Sequence, residues 1–247
     1  MTMVFQRDMN LNANWYLESP WRKQSFDEIA AILQPPSEFP CYFSQNAFRK
    51  QNIVFMFVES MRDFDLRNFA DDLRAYLQRC KEWDGKIATA EPLLVVFNPC
   101  EIYSADVAGY HEIGWRVLQF LHDHDEDPWP ESVAKNPDQP FWSMCYAGVE
   151  IFVNMSNPAH ARRRSRNLGQ SLCFVINPRE RFDIVAGNDE RGWHIRTLIR
   201  DRIHAFDGME HSPQLGSYKA GEIEWWQYGL AEANAERQDI CPFSMKR

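Results

Sequence analysis

Two short, wholly apolar runs constrain the fold of this 247-residue chain: residues 53–58 (IVFMFV) and residues 93–97 (LLVVF). Runs of this length, rich in β-branched and aromatic residues, are typical of strands that are buried on both faces of a sheet. Between them, Asp65 can cap a helix. The apolar positions of that helix repeat with helical spacing and are Leu66, Phe69, Leu73, Tyr76, Leu77 and Cys80. The order strand, helix, strand predicts a central sheet that is covered by helices.

Similar patterns continue along the chain and predict an α+β (mixed α/β) fold. Residues 107–122, 193–206 and 223–234 have helical periodicity, and residues 150–153 and 173–176 read as strands. The expected architecture is a single domain with a central, mainly buried β-sheet flanked by helices.

The first part of the chain is more polar. Residues 26–33 predict a short helix, which ends at Pro35 and Pro36 because proline lacks the N–H that a continuing helix needs. We therefore expect residues 1–38 to be a lead-in with one short helix. The core is expected to begin near Phe39, and residues 39–247 to form the domain.

Composition excludes several classes of protein. A hydrophobic content of 45%, with 17 Phe and 9 Trp, is too high for a disordered chain. The net charge of −8 disfavours a polyanion binder, so nucleic acid is not an expected partner. No apolar run is long enough to cross a membrane and the first residues do not read as a signal peptide, which predicts a cytoplasmic protein. Six scattered cysteines form no CxxC pair and are expected to be reduced.

Common catalytic signatures are missing from the sequence. It contains no GxxxxGK, GxGxxG, GxSxG or HExxH string, which disfavours a kinase, a Rossmann dehydrogenase, an α/β-hydrolase and a zinc protease.

A cluster of histidines and aspartates follows the helix predicted for residues 107–122. His122, His124 and Asp125 are the residue types that a non-haem iron would bind, with His111 as a further candidate. The same residues also fit a helix that ends in a solvated acidic loop, because neighbouring residues on a helix do not face one point.

The segment NPAHARRRSRN, residues 157–167, concentrates positive charge in an acidic chain. Asn157 can cap a short helix that begins at Pro158, and His160 would project from it. Arginines follow at 162, 163, 164 and 166 and would bind an anion such as a carboxylate or phosphate. A haem offers two propionates beside an iron that binds histidine. The alternative is a basic helix paired with the acidic residues of the protein itself.

Two short cysteine motifs offer a rival ligand. Cys41 lies in FPC and Cys241 in CPF. A thiolate can bind haem iron, which makes Cys41 an alternative to histidine, although an inert buried thiol also fits both positions.

Several of these segments together resemble the YqcI/YcgG family, which includes haem-dependent N-hydroxylases such as pre-guanitoxin N-hydroxylase and L-arginine Nω-hydroxylases. The resemblance spans about residues 39–243. It is carried by FPCYFSQNAFRK, LLVVF, LQFLHDHD, DQPFWSMCYAG, EIFVNMSNPAHARRRSRNLG, NPRERFD, IRDRI, HSPQLGSY, EWWQY and CPF.

The resemblance implies a monooxygenase that uses haem b (iron protoporphyrin IX) to N-hydroxylate a guanidine, amidine or amino group of a small arginine-like substrate. It would consume O₂ and take electrons from an external reductase, since no flavin or nicotinamide motif is present. The implied cofactor-binding residues are His160 as the iron ligand, Asn157 as a capping residue, and Arg162, Arg163 and Arg166 as partners of the propionates.

On this hypothesis His122 and Asp125 are the catalytic residues on the substrate side, where a carboxylate would bind a guanidinium. Glu150 and Glu224 are weaker candidates for that task. The alternatives are a non-haem iron oxygenase built on His122, His124 and Asp125, and a non-catalytic haem-binding or sensing protein. A homodimer is compatible with the sequence, which leaves the oligomeric state open.

Overall fold

A computed structural model describes residues 3–9, 14–185, 187, 189–216, 221–235, 237 and 239–245. Within these residues, six strands form one mixed sheet in the order β1-β2-β3-β6-β5-β4. The strands are β1 (Met3–Phe5), β2 (Val54–Val58), β3 (Leu93–Phe97), β4 (Met144–Tyr146), β5 (Val149–Ser156) and β6 (Cys173–Pro178). The predicted α+β class with a central sheet is confirmed.

Helices cover this sheet. They are α1 (Gln6–Met9), α2 (Asn14–Leu17), α3 (Pro20–Leu33), α4 (Tyr42–Arg49), α5 (Asp63–Cys80), α6 (Val107–Asp123), α7 (Arg179–Val185) and α8 (Glu190–Asp207). Two of them have aspartate caps: the side chain of Asp106 accepts from Gly109 N at 2.8 Å at the start of α6, and Asp189 caps α8 in the same way. None of the helices in the described part of the chain is long and apolar enough to cross a membrane.

The two apolar runs form the centre of the sheet, as predicted. Strands β2 and β3 are parallel, with α5 as the crossover between them, and all of their residues are buried. Alternate residues of β2 point to opposite faces. Met56 contributes to the core shared with α5 and α6, and Phe55 and Phe57 to the core beneath α3 and α4.

The N-terminal region differs from its prediction. Strand β1 pairs with β2 at the edge of the sheet, and α3 begins at Pro20, not at residue 26. Ile29 and Leu33 are buried against β2, so the expectation that the core begins near Phe39 is wrong. Residues 1, 2 and 10–13 of the predicted lead-in lie outside the described residues, as do Ser217 and Tyr218 of the HSPQLGSY motif.

Two predicted helices are absent from the described residues. After Pro158 the chain forms turns and then a single 3-10 turn, Arg164–Arg166. Residues 223–234 contain only the 3-10 turn Trp225–Gln227. Both predictions were wrong because backbone groups that would pair within a helix form hydrogen bonds to other parts of the protein instead. In the second segment, four carbonyls accept from distant donors: Trp226 O and Gly229 O from Arg237, Tyr228 O from Met155 N, and Ala231 O from Arg163.

Candidate functional site

The candidate site begins where β5 ends. Asn157 is fully buried and caps a turn, since its Oδ1 accepts from Ala159 N at 3.1 Å. The side-chain amide of Asn167 donates to His160 O at 3.3 Å and closes the other side of the loop. The capping role predicted for Asn157 thus operates on a turn instead of a helix. The consequence is that His160 is held at a fixed place beside the sheet.

His160 is bonded to a carboxylate 72 residues away. Its Nδ1 lies 2.6 Å from Oε2 of Glu232, and its side chain has 0% exposure. Burial lowers the pKa of His160, although Glu232 opposes the shift. A neutral imidazole that donates from Nδ1 has its lone pair on Nε2. This Nε2 is buried and has no hydrogen-bond partner among the described residues.

Glu232 is held in its ionised form by the same loop. Its second oxygen accepts from Arg162 N. Burial alone would raise the pKa of Glu232, but the hydrogen bonds from Arg162 and His160 lower it below its ordinary value. A carboxylate on Nδ1 is the arrangement that orients metal-binding histidines and increases their basicity.

A second histidine lies beside His160. The ring of His111, from the first turns of α6, has its centroid 6.1 Å from that of His160, at an interplanar angle of 51°. The Nε2 of His111 is also buried without a hydrogen-bond partner in the described structure. Burial, the neighbouring His160 and the charge of Arg237 lower the pKa of His111 to about 3, so the ring stays neutral.

Gly229 makes room for His111. A Cβ at this position would lie 2.9 Å from Cδ2 of the His111 ring, closer than real Cβ contacts. The backbone of Gly229 is held by Arg237, which donates to its carbonyl at 2.8 Å. Gly229 and Glu232 belong to one irregular segment, so a single stretch of chain contacts both histidines.

The predicted arginine cluster divides into two buried and two exposed side chains. Arg163 and Arg166 are 1% and 7% exposed. Arg163 Nε donates to Ala231 O at 2.6 Å, and Arg166 Nη1 donates to Gln227 O at 3.3 Å. Arg162 and Arg164 are exposed, and Arg164 lies over the ring of Phe206. The buried pair therefore supports the segment that carries Glu232.

The family of the chain follows from comparison with known proteins. The sequence pattern of the YqcI/YcgG family matches residues 29–244. The chain belongs to the YqcI/YcgG family. This confirms the resemblance recognised in the motifs. No solved structure matches the chain.

Named relatives of this YqcI/YcgG protein cover most of its length. It is 49% identical to the "Putative N(omega)-hydroxy-L-arginine synthase DcsA" of Streptomyces lavendulae over 226 residues, 92% of this chain and 85% of that protein. It is 30% identical to the uncharacterized protein YcgG of Bacillus subtilis (strain 168), over 91% of this chain and 88% of YcgG. The uncharacterized protein YqcI of the same organism is 28% identical over 90% of this chain and 87% of YqcI.

Elsewhere in this YqcI/YcgG protein, His122 and Asp125 line a cavity of about 210 Å³ together with Trp129 and Cys145. The cavity is distant from His160. His122 lies eleven residues after His111 in α6, which corresponds to about 16 Å along the helix axis. The structure thus places the predicted catalytic pair and the predicted iron ligand at different points of the domain.

Asp125 binds a guanidinium that belongs to the protein. Its Oδ1 accepts from Arg74 at 2.8 Å, and its Oδ2 accepts from Ala147 N at 2.9 Å. His122 packs against the rings of Trp129 and Phe243, with centroid distances of 5.6 and 4.9 Å.

His124, the third residue of the predicted non-haem iron site, contacts Phe120. His124 stacks on Phe120 at a centroid distance of 4.0 Å, and its Nδ1 lies 2.9 Å from Phe120 O. Among the described residues, no group of three or more His, Cys, Asp or Glu side chains could hold a metal ion. The predicted site of His122, His124 and Asp125 does not form.

Glu224 belongs to a buried polar network. Its Oε1 lies 2.7 Å from Ser143 Oγ and 2.8 Å from Tyr228 Oη, and its other oxygen contacts Arg179. Burial raises the pKa of Glu224 to about 7, against the opposing effects of Arg179, Ser143 and Tyr228. Its carboxylate is therefore engaged inside the protein. The other weak candidate, Glu150, is half-buried in β5.

Cys41, the rival ligand, is the N-terminal cap residue of α4 and is half-buried beside the second core.

Sequence analysis missed Glu232 and Gly229 and considered His111 only as part of a non-haem site. Glu232 carries no local signal, since it falls in a segment with helical periodicity and is far from His160 in sequence. Only the tertiary fold brings it to the loop.

Proposed function

We propose that this protein N-hydroxylates a small arginine-like substrate with haem b as its cofactor. The observation that carries the proposal is His160, whose buried Nε2 has no hydrogen-bond partner in the described structure while Glu232 holds Nδ1. The substrate class is supported by the name of the Streptomyces lavendulae relative, which describes N-hydroxylation of arginine.

The residues fit a haem in three respects. His160 offers a neutral imidazole with a free lone pair, the usual protein ligand of haem iron. Arg162 offers an exposed guanidinium two residues further on, which would bind a propionate. Arg163 and Arg166, which were predicted for the same role, are buried and donate to carbonyls of the protein instead. The core against which Ala159 packs is rich in aromatic residues, which would shield a porphyrin from water. When bound, the haem supplies the iron that activates O₂.

The chain itself supplies position and polarity. Glu232 keeps a proton on Nδ1 of His160, so Nε2 is the nitrogen that would hold the iron. Arg163 and Arg166 fix the backbone that carries Glu232, because both donate to its carbonyls. Substrate recognition by His122 and Asp125 stays a prediction, and it requires the separation of about 16 Å along α6 to be bridged. Electrons would come from a separate reductase.

An absorption spectrum tests the cofactor. Protein produced with haem available should show a Soret band that shifts with dithionite and again with carbon monoxide. Incubation with L-arginine, O₂ and a reductant should then yield a product heavier by one oxygen atom, detected by mass spectrometry. A preparation that stays colourless after addition of hemin overturns the proposal. Haem binding without turnover of any guanidino or amino substrate would favour the carrier or sensor alternative.

Glu232→Gln should weaken haem binding by about 10–100-fold, the usual cost of losing the partner that orients a metal-binding histidine. The neutral amide accepts from Nδ1 more weakly than the carboxylate and can also donate to it, so His160 loses basicity and a fixed tautomer. Titration of the apoprotein with hemin measures the affinity. Glu82→Gln, which changes an exposed glutamate in the turn after α5, is the matched control and should bind hemin like the wild type. Equal affinity of both variants would remove Glu232 from the site.

A further inference from the structure

Two unpaired imidazole nitrogens lie in one small region. Buried polar atoms are nearly always hydrogen-bonded, so each exception requires an explanation. Here the exceptions are Nε2 of His111 and Nε2 of His160, on neighbouring rings whose centroids are 6.1 Å apart. If either ring donated to the other, both exceptions would be removed. The two nitrogens form no such hydrogen bond, which indicates that both bind a further partner.

The separation of the rings matches a shared metal. A metal–imidazole bond of about 2.1 Å places a ring centroid roughly 3.2 Å from the metal, so two rings on opposite sides have centroids about 6.4 Å apart. Two imidazoles joined by a direct hydrogen bond of about 2.9 Å would have centroids only roughly 5.2 Å apart. The observed 6.1 Å is close to the first value, and the 51° tilt excludes stacking.

Both rings are held in place from outside the gap. Glu232 fixes His160 through Nδ1, and the backbone of Gly229 lies against the His111 ring. These two contacts come from positions three residues apart in the same segment. Arg237 anchors that segment through the carbonyls of Trp226 and Gly229, at 3.1 and 2.8 Å. The pair is therefore preorganised, as a metal site requires.

We infer that His111 is the second protein ligand of the haem iron in the substrate-free protein, on the face opposite His160. This inference rests on the proposed function. Since His160 has the carboxylate partner, His111 is the ligand that must leave before O₂ can bind. The substrate-free iron is then six-coordinate and low-spin, and external ligands compete with an imidazole of the chain itself.

The test compares haem-loaded wild type with His111→Ala by electron paramagnetic resonance and absorption. We expect low-spin ferric iron in the wild type and high-spin iron in the variant, and added imidazole should restore the low-spin signal. If the open state is populated to about 10% in the ferrous wild type, the variant should bind carbon monoxide about tenfold more tightly. His194→Ala, which changes an exposed histidine of α8, should keep the wild-type spectrum.

His111→Met is the control for a folding defect, because methionine has a side-chain volume similar to that of histidine. Its thioether would also bind the iron, with a charge-transfer band that differs from that of two imidazole ligands. A high-spin wild type, or a low-spin wild type whose spectrum is unchanged in both His111 variants, overturns the inference and leaves the proposed function standing. A wild type that binds no haem overturns the proposed function first, and this inference with it.

Discussion

His160→Ala, purified with haem available, is expected to lose most of the Soret band that the proposed function requires of the wild type, because His111 has no carboxylate partner in the described part of the chain to orient it as Glu232 orients His160. The substitution removes the imidazole whose Nε2 lacks a hydrogen-bond partner in the described structure, and it leaves Glu232 without the ring that it orients. Losing a ligand costs more than losing its orienting partner, so we expect the affinity for hemin to fall by more than about 100-fold. Hemin titration and the absorption spectrum measure the effect.

Controls separate ligand loss from misfolding. Exogenous imidazole should restore the Soret band in His160→Ala, since it can occupy the space left by the side chain. His194→Ala changes an exposed histidine of α8, away from the site, and should bind haem normally. A full Soret band in His160→Ala without imidazole would transfer the role of ligand to Cys41 or to another histidine.

Glu224→Ala is expected to lower the free energy of unfolding by about 3–5 kcal/mol, the usual cost of removing one partner from a buried ion pair. The side chains of Glu224 and Arg179 are 0% and 7% exposed, so the variant leaves a guanidinium in the interior, with Asp183 3.4 Å away as a partial replacement. The hydroxyls of Ser143 and Tyr228 also lose an acceptor. Urea-induced unfolding, followed by circular dichroism, measures the change.

Two companion variants make this result specific. Glu82→Ala removes an exposed carboxylate and should change the free energy of unfolding by less than about 0.5 kcal/mol. Replacing Arg179 by Met together with Glu224→Ala removes the unpaired charge, so the double variant should lose less stability than the sum of the two single variants. Additive losses would show that the ion pair is not what stabilises this region.

The two predicted helices that did not form show the limit of periodicity. Residues 223–234 have apolar positions with helical spacing, yet their carbonyls accept from Arg163, Arg237 and Met155 N. A pattern of side chains reports which residues are buried. It does not report which backbone carbonyls will accept a hydrogen bond from a distant arginine. Here such distant donors replace the hydrogen bonds of a local helix.

Sequence alone determined the central strands and the family, and it predicted a site in the segment around His160. Strands β2 and β3 are recognisable because full burial on both faces requires unbroken apolar runs. The partner of His160 and its neighbour were decided only by the tertiary structure. Glu232 lies 72 residues from His160, and His111 lies on a helix whose residues pack mainly against the sheet. Such contacts depend on how loops and helices close around the sheet, and no local spacing encodes them.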